Sequence, residues 1–479
     1  MKRRELLAAL AVHASANLTA AFALPRPSMA ADLAYTDGDL AQALKLRELA
    51  GTDREAWKLV EALTTEVGAR PAGSPADARA VAWALAAMKR LKLDNIRAEP
   101  VPLKVWQRGP AQARLLDPYP QPLVMAALGN SVATPAGGIE AELAWYPSIE
   151  ALRNDTSDRA KGRIVFIDQK MERARDGSGY GPAVGARTTG AIEGGKRGAL
   201  AVGIRSIGTD RDRIAHTGSM RYDLQVPRIP AFAVSAPDAD LIARLHERGV
   251  VPRLALQMEA RSGVEALTHN VIGEVKGTDL ADEIVLISGH LDSWDLGQGA
   301  VDDGAGVAIA LATAALIQAA GKPPRRTVRV VLWGNEENGF DGVRAYAERY
   351  GSVRHQWVGE SDFGAGKVWQ LRSRVRADAL PLIAPMARLL APLGVEVPAQ
   401  AANEGTPGPD AGLLMRRFGW PAVELSQDGT NYFDVHHTEN DTLDKIDPAT
   451  LPQNVACWAV VTWLAAQAPL WFGPMAPAR

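Results

Sequence analysis

Cysteine is almost absent: Cys457 is the single one in 479 residues. No intramolecular disulfide can form, and a metal site built from a cysteine cluster is excluded. Cys457 lies in the apolar stretch 455–464 and reads as a small buried side chain. Net charge is nearly absent too. The 53 basic and 55 acidic side chains leave −2, so the chain lacks the electrostatic footprint of a protein that binds DNA, RNA or an anionic membrane. Beyond the first thirty residues no segment holds 18 uninterrupted apolar residues, so no membrane span is expected. Internal repeats and low-complexity tracts are missing apart from Ala-rich helical stretches.

What is present fits a globular chain. Hydrophobic residues make up 47% and charged residues 23%, the ordinary balance of a soluble fold. The length implies two or more domains, and a unit of roughly 300 residues buries about three quarters of its unfolded surface, enough for a rigid core. Residues 1–30 read as a signal peptide rather than as fold. Lys2, Arg3 and Arg4 open it, residues 6–12 are apolar, and Ser28, Met29 and Ala30 supply small residues around a cut after Ala30. The run Arg3-Arg4-Glu5-Leu6-Leu7 also resembles a twin-arginine export signal. The mature protein is therefore expected to be secreted or periplasmic.

Residues 40–66 and 75–91 read as helices, separated by a Gly- and Pro-rich loop, and the pattern turns strand-like over 95–106. Between about 138 and 258 the character changes. RIVFID (163–168), ALAVGI (199–204) and PRIPAFAV (227–234) are short apolar strands among many turns, which suggests an inserted α/β or β-rich module. From residue 269 the signal sharpens: a strand over 283–288, a helix over 305–320, a strand over 327–333 and a helix over 340–350. That alternation predicts an α/β fold, a mostly parallel sheet with helices on both faces. In such sheets, sites form at the carboxyl ends of the strands.

Polar clusters sit at those ends. His290 and Asp292, then Asp302 and Asp303, follow the first strand. Glu336 and Glu337 follow the second, Asp362 lies further on, and His436 and His437 stand shortly before Asp441. Imidazole nitrogen and carboxylate oxygen are the donors that Zn²⁺ accepts, and a carboxylate can bridge two ions. Ligand type alone would also admit cobalt or manganese. A ligating histidine usually donates its other N–H to an acceptor, a role open to Asp292 for His290 and to Asp441 for His437. Of two adjacent glutamates, one can bind metal while the other reaches the bound water. Taken singly, Asp302-Asp303-Gly304 is a turn or helix cap, Glu336-Glu337 a solvated pair, and His216, His246, His269 and His355 ordinary polar residues. Four clusters in one half of the chain, each at a strand end or the following loop, point to a metal site.

Together these stretches resemble the co-catalytic zinc exopeptidases, a family that includes bacterial aminopeptidases, and most of all its plasma glutamate carboxypeptidase (carboxypeptidase Q) subgroup. The likeness is carried by GHLDSWDLGQGAVDDGAG (289–306), WGNEENGFDG (333–342), ESDFG (360–364) and HHTENDT (436–442). Upstream, ARPAGSP (69–75), HTGSMRYD (216–223) and VPRIPAFAVSAPDA (226–239) carry it further, so it spans most of the chain beyond residue 30.

The resemblance implies a three-layer zinc exopeptidase fold with a smaller, protease-associated-like domain inserted. On it, residues 1–30 are the signal peptide, 31–137 and 259–479 the two parts of the catalytic domain, and 138–258 the insert that roofs the cleft. Two zinc ions per chain are implied, one held by His290 and Asp362, the other by Glu337 and His437, with Asp302 bridging. His436 stands where several relatives carry tyrosine and is a candidate for steadying the oxyanion. The implied reaction is hydrolysis of short peptides by a hydroxide shared between the ions, with Glu336 as general base. Dipeptidase or carboxypeptidase action is favoured over aminopeptidase action; a non-catalytic receptor-like relative would lack part of this residue set. Asp410 and Arg372 are candidates for anchoring a substrate's amino or carboxyl end. The relatives imply a homodimer, which no stripe of residues in this sequence marks.

Overall fold

The structure, a computed structural model, describes residues 34–475. The signal-peptide and twin-arginine expectations fall on residues outside that range. Three helices come first: α1 (Asp37–Ala50), α2 (Glu55–Glu66) and α3 (Pro75–Arg90). The single helix expected over 40–66 is thus two. Gly51 turns the chain, its N–H bonding back to Glu48, and the Asp53 carboxylate accepts the Glu55 N–H to start the second helix.

Four strands follow, β1 (Asp94–Asp117), β2 (Gln121–Leu123), β3 (Met125–Ala127) and β4 (Ile139–Tyr146), then α4 (Ile149–Asn154), β5 (Ile164–Ile167), α5 (Tyr180–Lys196), β6 (Ala201–Arg205), β7 (Ala231–Val234) and α6 (Ala236–Glu247). The strand expected over 227–234 keeps only its last four residues, because Pro227 and Pro230 have no N–H to give a ladder. The rest comprises β8 (Arg253–Val275), β9 (Leu280–His290), α7 (Ala305–Ala319), β10 (Arg326–Trp333), α8 (Asp341–Tyr350), β11 (His355–Glu360), β12 (Val368–Arg374), α9 (Ile383–Leu390), α10 (Pro409–Phe418), β13 (Ala422–Gln427) and α11 (Leu451–Gln467).

The strands join in the order β12-β13-β11-β9-β10-β8-β4-β5-β6-β7-β3. Two parallel blocks, β13-β11-β9-β10 and β4-β5-β6-β7, are linked by the antiparallel β1–β8 ribbon. One half of β8 pairs with β10 and the other half with β4, so this long strand belongs to both blocks. The sheet is mixed, with parallel blocks inside and antiparallel edges.

The continuous apolar runs of β9 and β10 follow from burial on both faces. Val285, Ile287, Val328 and Val330 face α1, α2, α3, α7 and α11, whereas Ile284, Leu286, Val331 and Trp333 face α8 and α10. The apolar helix α7 is the central piece of the first layer. With the turn before it, it is long and apolar enough to cross a bilayer, yet it is almost wholly buried inside the protein. The second block repeats the layering, with α6 on one face and α4 and α5 on the other.

Candidate active site

Each polar cluster emerges from the carboxyl end of a strand in the first parallel block. His290 is the last residue of β9, Glu336 and Glu337 follow β10, Asp362 follows β11, and His436 and His437 lie in the loop after β13. The turn over Ala300–Gly304, ahead of α7, carries Asp302 and Asp303, whose φ/ψ values leave the helical range.

Asp302 sits at the centre. Its Oδ1 lies 3.0 Å from His290 Nε2, and its Oδ2 lies 3.3 Å from His437 Nε2. Asp362 Oδ1 approaches His290 Nε2 at 3.5 Å, and Glu337 Oε2 approaches His437 Nε2 at 3.2 Å. All five side chains implied as ligands therefore converge. His436 stacks on His437 with ring centroids 3.5 Å apart, but its Nε2 is farther from Asp302, at 3.7 Å. Asp303 lies within reach of His290 and Asp362, but its two oxygens already accept the His290 N–H at 2.9 Å and the Gly306 N–H at 3.1 Å, tying β9 to the start of α7. Glu336 is half-buried, and among the described residues its carboxylate makes no hydrogen bond or ion pair.

The supporting contacts differ from those expected in two places. The ring N–H opposite the cluster in His290 meets the backbone carbonyl of Asp292 at 2.9 Å, not its carboxylate. The Asp292 carboxylate instead accepts the N–H groups of Glu336 (3.0 Å) and Glu337 (3.4 Å). It thereby fixes the sharp turn in which Asn335 adopts a left-handed φ of 65°. Asp441 likewise does not touch His437. It accepts the N–H groups of Val301 at 2.6 Å and Asp302 at 3.2 Å, and so holds the central aspartate in place. His437 has a left-handed φ of 62°, and its Nδ1 lies 3.3 Å from the Thr217 carbonyl and 3.5 Å from Arg187 Nη1.

Sequence reasoning gave no role to Arg70. Its wholly buried guanidinium donates to the carbonyls of Leu291, Gln298 and Gly299, bracing the loop between His290 and Asp302 from behind. The motif around it, residues 69–75, was visible in the sequence, but nothing there says which carbonyls it meets. Of the two anchor candidates, Asp410 is wholly buried at the start of α10 beside Glu360, and Arg372 lies on the edge strand β12 opposite Glu424, away from the cluster.

Does a metal fit here? Donors about 2.0–2.1 Å from a tetrahedral ion stand roughly 3.3 Å apart. The four spacings above, 3.0 to 3.5 Å, match. For each histidine one ring nitrogen faces a backbone carbonyl and keeps its N–H there, so Nε2, aimed at carboxylate oxygens, is the nitrogen that would give up its proton to a cation. Glu337 Oε1 is also buried without a hydrogen-bond partner. The residues fit a metal centre.

The electrostatics agree. Burial lowers His290, but Asp362 and Asp302 outweigh it and hold the imidazole well above its ordinary range. Against the same burial, Glu337 and Asp302 raise His437 to about 9. Burial, reinforced by Asp302, lifts Glu337 to about 7. Glu336 is driven well above the usual carboxyl range by burial and then by Asp362 and Glu337, with His290 opposing. Acids outnumber bases in this largely buried cluster, and cations would balance them.

Packing around the cluster leaves no slack. A Cβ at Gly306 would run into the Ser361 carbonyl and the Asp303 carboxylate. Gly306→Ala is expected to cost about 1–3 kcal/mol of stability and to push the segment carrying Asp362 outward. Thermal melting and zinc analysis of the variant check this: both should fall, and unchanged values would show that the start of α7 yields freely.

Comparison with known proteins adds the following. Residues 270–462 match the model of Peptidase family M28. Carboxypeptidase Q of Xenopus laevis is 34% identical over 402 residues, 84% of this chain and 83% of that protein. The crystal structure of a Peptidase M28 precursor from Shewanella amazonensis SB2B superposes with a TM-score of 0.89 at 45% identity, covering 92% of this chain and all of the other. A zinc aminopeptidase from Bacillus subtilis shares the fold at 18% identity and a TM-score of 0.58, over 85% of this chain and 94% of its own.

Proposed function

The chain belongs to peptidase family M28 and is a metallopeptidase, and from that premise we propose that it is a two-zinc exopeptidase cleaving dipeptides or the carboxyl-terminal bond of short peptides. One observation carries the reading: the two oxygens of the Asp302 carboxylate face two imidazoles from different loops, at 3.0 and 3.3 Å. On this reading His290 and Asp362 would hold one ion and His437 and Glu337 the other, with Asp302 available to both. Bound there, zinc supplies Lewis acidity, polarising the scissile carbonyl and lowering the pKa of water.

The chain's own residues do the rest. Glu336, the acid at the site without a partner of its own, takes the proton as water adds to the carbonyl carbon. It passes that proton to the amide nitrogen as the C–N bond breaks, so the products are a carboxylate and an amine. Asp292 keeps Glu336 in place through the backbone, and Arg70 and Asp441 keep Asp302 in place. The segment 138–258 acts as a roof. Thr209 and Thr217 donate backbone N–H groups to the carbonyls of Phe433 and His437, and Arg173 pairs with Asp434 at 2.6 Å.

Preference for the carboxyl end rests on the 34% identity to carboxypeptidase Q, against 24% to an aminopeptidase of Bacillus subtilis. Free dipeptides, dipeptides acetylated at the amino end and dipeptides amidated at the carboxyl end separate the two. Amidation should reduce kcat/KM by about 10-fold or more, since a buried charge partner of the substrate is worth at least about 1.4 kcal/mol. Acetylation should matter less for a carboxypeptidase. Loss on acetylation alone would make the protein an aminopeptidase.

A further inference from the structure

Among the described residues five arginines are buried: Arg70, Arg187, Arg205, Arg326 and Arg329. Arg205, Arg326 and Arg329 pair with acids at 2.7 to 2.8 Å, and Arg70 is satisfied by backbone carbonyls. Arg187 differs. Among the described residues it has no carboxylate partner, and its Nε has no acceptor. Its close contact is Nη2 donating to the hydroxyl of Tyr180, seven residues earlier in α5, with the guanidinium 5.5 Å from that ring's centroid. A buried cation spent on a neutral phenol asks for an explanation.

Tyr180 supplies one. It opens α5, where the segment 138–258 meets the metal loops. Its ring stacks on Phe433 with centroids 5.0 Å apart and stands edge-on to His436 at 5.5 Å. His436 in turn stacks on His437. Glu336 and Asp302 lie near enough for their charges to oppose ionisation of the phenol. The hydroxyl accepts from Arg187 and, among the described residues, donates to nothing. A half-buried phenol normally finds an acceptor for its proton. Its ring contacts with Phe433 and His436 set this phenol against the loop that carries His437, beside the place where the scissile carbonyl must sit.

We propose that Tyr180 is a catalytic residue that donates its O–H hydrogen bond to the substrate's carbonyl oxygen as it becomes an oxyanion, and that Arg187 is a positioning residue which orients and polarises that phenol. No proton is transferred: the phenol keeps its proton throughout, and the bond shortens as charge builds on oxygen. A donor already accepting a charged hydrogen bond is the stronger for it. Arg187 does not itself reach the oxyanion, because its Nη1 points at the Thr217 carbonyl, 3.5 Å away, beside His437 Nδ1, the ring nitrogen turned away from Asp302. The inference rests on the hydrolytic reading above and names a group that the metal centre does not contain.

The test uses zinc-loaded full-length protein and four forms: wild type, Tyr180→Phe, Arg187→Met and the double variant. Tyr180→Phe should lower kcat on a free dipeptide by at least about 10-fold with KM nearly constant. That is less than the roughly 10²–10³-fold effect of a sole oxyanion donor, because a metal shares the charge. It should weaken binding of a tetrahedral phosphinic dipeptide analogue by a similar factor, leave binding of the planar product amino acid unchanged, and retain wild-type zinc content. Arg187→Met should lower kcat only when Tyr180 is present, so the double variant should match Tyr180→Phe. Wild-type kcat and unchanged phosphinate affinity in Tyr180→Phe would overturn the proposal. So would an Arg187→Met variant that raises KM for free but not amidated dipeptides, which would make Arg187 a carboxylate anchor instead. If the wild type cleaves no peptide at all, the hydrolytic reading falls first and this inference with it.

Discussion

Glu336→Gln should leave both metal sites filled and lower kcat by about 10²- to 10⁴-fold, the span expected for loss of a general base. The amide is nearly isosteric with the carboxylate, and the backbone N–H of residue 336 would still bond to the Asp292 carboxylate. Folding and metal content therefore have no reason to change, whereas the group that moves the proton is gone. Its environment suits the task. Burial and the nearby Asp362 and Glu337 favour the protonated form, so Glu336 holds a proton readily once water has given one up. Steady-state kinetics together with zinc analysis decide the matter. A variant within a few-fold of wild type would remove Glu336 from the mechanism.

Stripping the metal with a chelator should abolish turnover and lower the melting temperature, more so at pH 8 than at pH 5. The sign follows from three groups. In the metal-free fold Glu337 and Asp441 are each raised to about 7, mainly by burial, and His437 to about 9 by Glu337 and Asp302 against its burial. Each holds its proton to higher pH than it would in the unfolded chain. The folded state thus binds more protons between the ordinary carboxyl range and about 9, and metal-free stability falls as pH rises through that window. Asp302, held low by His290 and His437 against burial, acts oppositely only at pH below its ordinary range; His436, held well below its ordinary range by burial and His437, opposes the trend near pH 5 to 6.5 but is outnumbered by the raised groups. Zinc instead binds the deprotonated ligands, and its affinity grows with pH. The gap in melting temperature between loaded and stripped protein should therefore widen from pH 5 to pH 8. A gap that closes over that interval would mean the acidic cluster is not what the metal neutralises.

Much of the centre could be read in the sequence because parallel strands buried on both faces announce themselves as apolar runs, and their carboxyl ends are where polar residues collect. The carboxyl ends of β9 and β10 lay within two residues of the expected ones, and the structure brings His290, Asp302, Glu337, Asp362 and His437 together from loops up to 147 residues apart in number, 290 to 437. What could not be read was direction. Asp292 and Asp441 stand at sequence positions suited to orient imidazoles, yet their carboxylates turn to backbone N–H groups, because the turns at Asn335 and at Ala300–Gly304 present those donors first. Arg70, Tyr180 and Arg187 reach the site from segments whose local pattern signals only a loop or a helix. The roles of Tyr180 and Arg187 depend on the β1–β8 ribbon, which carries one parallel block against the other, and no short-range pattern encodes such a pairing.

Anomalous diffraction at the zinc absorption edge, on crystals of zinc-loaded protein, addresses the bridging aspartate directly. Two peaks per chain are expected, one beside His290 and Asp362 and the other beside His437 and Glu337, with the Asp302 carboxylate between them. A single peak, or two that do not share Asp302, would contradict the arrangement from which the proposed chemistry follows.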